Sequence, residues 1–63
     1  MLEQAMLRDQ FQALLVQEQQ AEKIYAELVA RLTDPELLQQ VQQLHRDKQR
    51  HIRLTERLLE ILE

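Results

Sequence analysis

Apolar residues recur through the first half of the chain at Leu7, Phe11, Leu14, Ala21, Tyr25, Leu28 and Leu32, in alternating steps of four and three that Glu18 completes. Such steps return to one face of an α-helix, so the pattern predicts a long amphipathic helix over about 2–32. A second row with the same spacing follows the only proline: Leu37, Val41, Leu44, Lys48, His51, Thr55, Leu58 and Leu62. It predicts a helix over about 35–62, leaving 33–34 as the turn. Pro35 fits only a first helical turn, Thr33 and Glu36 have capping-box spacing, and Asp34 is the alternative cap. So short a connection makes the helices antiparallel neighbours. The expected fold is all-α, a single domain over 1–63 formed by one helical hairpin.

These helices carry more apolar residues than one neighbour covers. Leu38, Ile52 and Leu59 flank the second row on one side and Leu54 and Ile61 on the other, while the first helix adds Leu15, Ile24 and Val29. Each such side chain is worth about 1.5–3 kcal/mol when fully buried, and a 63-residue chain is too short to enclose a large core by itself. The width of the stripe predicts a homodimer of hairpins, closing into a four-helix bundle with coiled-coil-like spacing.

Folding back at the turn pairs 32 with 37, 28 with 41, 25 with 44, 21 with 48 and 18 with 51. Glu18 is thereby set opposite His51, with Lys48 one layer away. A carboxylate and an imidazole on facing helices are ligand types for iron or manganese in bundle cores, and Glu22 and Asp47, each one turn away, are candidate additional oxygen donors. The Lys48 ammonium works against a bound cation and neutralises Glu18 directly. The favoured expectation is therefore a charge-compensated polar network of Glu18, Lys48 and His51 that fixes register and partner orientation, with no cofactor; iron or manganese binding through Glu18 and His51 is the alternative.

Composition removes other chemistries. Cysteine, glycine, serine, asparagine and tryptophan are absent, which excludes disulfides, thiolate metal sites, serine or cysteine nucleophiles and glycine-rich phosphate loops. The longest apolar run, Ala13–Val16, is too short for a membrane span or a leader core, so a soluble, cytoplasmic protein is expected. The net charge is -3, unevenly placed: the first helix is mainly acidic and the middle of the second is basic. Arg46, Arg50, Arg53 and Arg57 line one outward face, giving a second alternative, an RNA-binding hairpin dimer. Intervening Asp47, Glu56 and Glu60 and the scarcity of exposed aromatics point instead to a solvated face paired with nearby acids, so nucleic acid is not the expected partner. His45 reads as a boundary residue, Tyr25 as a core aromatic, Met1 and Met6 as terminal packing, and the glutamines as solvated surface.

The stretch Glu18, Ala21, Tyr25, then Asp34, Glu36, Leu37, then Asp47 to His51, resembles the ferritin-like superfamily, particularly its two-helix encapsulated ferritins and more loosely the rubrerythrins, over about 14–62. In that family a first-helix glutamate and a second-helix E-x-x-H motif hold iron where two hairpins meet. Glu18 matches the glutamate and His51 the histidine, whereas Lys48 stands at the motif's glutamate. The resemblance implies the dimeric four-helix architecture, and the lysine argues against ferroxidase activity. No encapsulin-targeting tail is visible after the second helix. The expected function is that of a homo-oligomeric, ferritin-like hairpin with a structural or assembly role, its central layer a charge-compensated remnant of a di-metal site.

Overall fold

The computed structural model describes residues 2–62, Leu2 by its backbone alone; the terminal packing expected of Met1 lies outside the described residues. Helix α1 runs Leu2–Arg31 and α2 runs Pro35–Leu62, with no strand among the described residues. The chain reverses through Leu32, Thr33 and Asp34 without glycine, and none of the described residues needs a positive φ. Asp34 makes this possible. Its Oδ1 accepts the Leu37 N–H at 3.0 Å and its carbonyl accepts the Leu38 N–H at 2.9 Å, so Asp34, rather than Thr33, is the N-cap of α2. Pro35 then occupies the first helical position, where a missing N–H costs nothing. Glu36 in the first turn of α2 and Arg31 in the last turn of α1 each oppose the helix-end charge they sit against.

The hairpin closes one edge away from the rows expected from spacing. The less exposed residues include Phe11, Leu15, Glu18, Ala21, Glu22, Tyr25 and Val29 on α1, Leu32 just beyond it, and Leu38, Val41, His45, Lys48, Ile52, Thr55, Leu59 and Leu62 on α2. Five of the eight positions of the first expected row are retained, Phe11, Glu18, Ala21, Tyr25 and Leu32, and four of the eight of the second, Val41, Lys48, Thr55 and Leu62. Leu7, Leu14, Leu28, Leu37, Leu44 and Leu58 instead stay between 39% and 49% exposed. Each helix has apolar residues on both sides of its shared row, and only one side can face the other helix. Closing on the observed side half-buries Leu15, Val29 and Ile52, buries Leu59, and brings Glu22 to His45.

The resulting core is thin. Among the described residues only Leu59, at 9% exposed, and Thr55, at 5%, are buried, and no large side chain is fully enclosed. At the end away from the turn, Gln4 Nε2 donates to the Leu62 carbonyl at 2.8 Å, satisfying one of the acceptors that a helix C-terminus leaves free. The rod measures 50 × 14 × 12 Å, and neither helix is long and apolar enough to cross a membrane.

Rotation of the seam makes the two broad faces of the rod unlike. In an antiparallel pair, positions with the same offset from the core row emerge on the same side. Leu7, Leu14, Ala21 and Leu28 therefore share a face with Leu37, Leu44, His51 and Leu58. The opposite face presents exposed Gln12, Gln19, Gln42, Gln49 and Glu56. One face is leucine-rich and the other is amide-rich.

Candidate functional site

Glu18 lies at the middle of α1 on the shared row, with its side chain only 14% exposed. A carboxylate so placed requires partners, and α2 supplies two from residues three apart on one face. Lys48 Nζ donates to Oε1 at 3.4 Å, and His51 Nδ1 lies 3.2 Å from Oε2. Each oxygen has its own donor. Lys48 is half-buried, while His51 is more exposed at the edge of the leucine face. One turn further along α2, Thr55 Oγ1 donates to the His51 carbonyl at 2.8 Å, which lets a hydroxyl sit in the most buried position among the described residues.

The other candidate donors are engaged elsewhere. Glu22 Oε1 lies 2.7 Å from His45 Nε2, a second carboxylate–imidazole pair on the closed edge of the seam. His45, expected to be a boundary residue, is thus a half-buried partner. Glu22 lies four residues after Glu18 and His45 three before Lys48 on opposed antiparallel helices, a spacing that brings them together only if the hairpin closes on this edge. Asp47 accepts from Gln43 Nε2 at 3.0 Å along its own helix, and Arg46 donates to Gln43 Oε1 at 2.9 Å.

A shallow cleft of about 230 Å³ opens on the leucine face, lined by Leu14, Glu18, His51, Leu54 and Thr55. Glu18 and His51 of the polar layer are therefore open to the face that carries the exposed leucines. Within one hairpin these residues do not fit a di-iron centre. No group of three or more histidine or acidic side chains gathers among the described residues, and the ammonium of Lys48 occupies one oxygen of the carboxylate that a metal would need. The layer sets a carboxylate between an ammonium and an imidazole, without an assembled metal-ligand set among the described residues.

Arg46, Arg50, Arg53 and Arg57 are all exposed on the outward side of α2. Their expected pairing with Asp47, Glu56 and Glu60 is not formed: the ion pairs among the described residues are Glu18–Lys48, Glu18–His51 and Glu22–His45. Surface pairs of long side chains gain little over hydration, which accounts for the open guanidinium groups. Arg50, Arg53, Leu54 and Arg57 line a groove of about 290 Å³. Searches of family models, of curated proteins and of solved structures found no match to this chain.

Proposed function

We propose that the protein is a homodimeric assembly module in which two hairpins join through their leucine faces, with the Glu18–Lys48–His51 layer keeping them in register. The carrying observation is the contrast between faces: six leucines 39–49% exposed on one, glutamines on the other. Surface area supports the reading. A compact monomer of this mass exposes about 4300 Å², whereas the hairpin exposes 5190 Å². The excess, roughly 900 Å², is close to the area of about 800 Å² that each partner contributes to a standard interface. Burying the remaining half of six leucines contributes about 5–9 kcal/mol per copy, enough to offset an association cost of about 4–15 kcal/mol once both copies are counted.

The polar layer sets the register because it is central. Leu7 and Leu58 lie towards one end of the face and Leu28 and Leu37 towards the other, with Ala21, His51 and the Glu18 cleft between them. Sliding one copy by two helical turns would press a carboxylate and an ammonium against leucines. A polar layer of this kind is a known means of fixing alignment in bundles.

The test is mass in solution. Sedimentation equilibrium is expected to give twice the 7.6 kDa chain mass, and Leu14→Glu with Leu44→Glu to give the monomer with reduced helicity. Gln19→Glu with Gln49→Glu, on the opposite face, should leave the dimer intact. A wild-type protein that stays monomeric at hundreds of micromolar, or dissociation caused by the glutamine-face variant, would overturn the proposal.

A further inference from the structure

The four arginines of α2 form the only large group of like charges left unpaired among the described residues. Half of the chain's 8 lysines and arginines stand in this row, which extends about 16 Å along the helix. Arg46 is held lightly by Gln43, while Arg50, Arg53 and Arg57 line a groove together with Leu54. Of the neighbouring acids, Asp47 is itself hydrogen-bonded to Gln43, and Glu56 and Glu60 close no ion pair with the row. The stretch 46–60 carries five basic and three acidic side chains and is therefore net positive on a protein whose net charge is -3.

We propose that this row binds the phosphate backbone of a nucleic-acid duplex without reading its sequence. Guanidinium is suited to phosphate because its planar fork donates two parallel hydrogen bonds to paired oxygens. One strand of a duplex places a phosphate about every 3.4 Å of axis, so the row runs alongside about five phosphates. A single strand is disfavoured as the partner, since such sites stack bases on aromatic side chains. The two aromatics here, Phe11 and Tyr25, both lie in the seam between the helices. Leu54 also lines the cleft on the leucine face, so the row borders that face, but all four arginines belong to one helix and a single hairpin carries the whole row. The inference therefore goes beyond the assembly reading and stands or falls separately from it.

Fluorescence anisotropy with a labelled duplex of about 20 base pairs tests this, in DNA and RNA forms, from about 25 to 200 mM salt. Each hairpin neutralising three or four phosphates gives a slope of log affinity against log salt of about -3. Arg50→Gln with Arg53→Gln should lower that slope by about two and weaken duplexes of unrelated sequence equally, with helicity unchanged. Preference for one duplex form identifies the source of the phosphates and supports the proposal, as does equal binding to both. No duplex binding at the lowest salt, binding unaffected by the double variant, or equally tight binding of a single strand or of polyglutamate would each refute it. The last outcome would assign the row to an acidic protein partner.

Discussion

Removing the Lys48–Glu18 pair in a double-mutant cycle separates a working ion pair from one that is only close in space. At 3.4 Å, two unit charges attract by about 1.2 kcal/mol in bulk water and about 5 kcal/mol at an effective dielectric of 20. The observed exposures, 26% for Lys48 and 14% for Glu18, place the pair between those limits, and the lysine can swing its ammonium to water when its partner is lost. The coupling expected is about 1–2 kcal/mol, above exposed pairs at about 0–1 and below the 3–5 of fully buried ones. Glu18→Gln keeps the shape and an acceptor for His51; Lys48→Met keeps the stem in the seam. Glu18→Gln alone should cost the larger share, because Lys48 is then left without a carboxylate, whereas Glu18 in Lys48→Met still has His51 at 3.2 Å. The double variant should recover most of the loss. Urea unfolding followed by circular dichroism measures all four proteins, at one fixed concentration because assembly shifts apparent stability. A coupling below about 0.3 kcal/mol, with the two single losses simply adding, would mean that the ammonium already rests in water and that the layer does not compensate charge.

Two further predictions follow from the cap and from the ligand set. Asp34→Ala should destabilise by about 1 kcal/mol, since it removes the acceptor of the Leu37 N–H, while Thr33→Ala should stay within about 0.5 kcal/mol; the reverse order in thermal melts would return the cap to Thr33. Lys48→Glu places a second carboxylate beside Glu18 and His51, so anaerobic Fe(II) or Mn(II) is expected to raise the melting temperature of the variant and not that of the native protein. A shift in both would show that the native layer accepts metal despite its lysine.

The two helices were legible in the sequence to within a residue, because alternating steps of four and three, one proline and a turn of small polar residues leave no competing assignment. The polar layer was legible for a related reason. Glu18 and Lys48 both belong to the row shared by either possible closure of the hairpin, so their meeting did not depend on which edge closed. What the pattern left open was that edge. Leu14 and Leu15, Leu28 and Val29, Leu37 and Leu38, Leu58 and Leu59 are adjacent apolar pairs, and periodicity weighs each member equally. The contact of Glu22 with His45 depends on the edge chosen, which is why spacing alone had set His45 at a boundary. Open guanidinium groups were likewise invisible: the sequence places acids within reach of Arg53 and Arg57, but reach does not decide whether an exposed pair closes.

The Gln4–Leu62 hydrogen bond gives the rod two dissimilar poles, one made of the three-residue reversal and the other of both helix ends side by side. A fluorophore or fusion attached near residue 4 and one attached near residue 62 would therefore report from the same pole, with the turn at the far end of the 50 Å axis. Neighbouring ends are also what circular permutation requires. A few polar residues joining the helix ends, with a new opening between Thr33 and Asp34, would reverse the order of the helices along the chain while keeping the seam, the Asp34 cap and the leucine face in place.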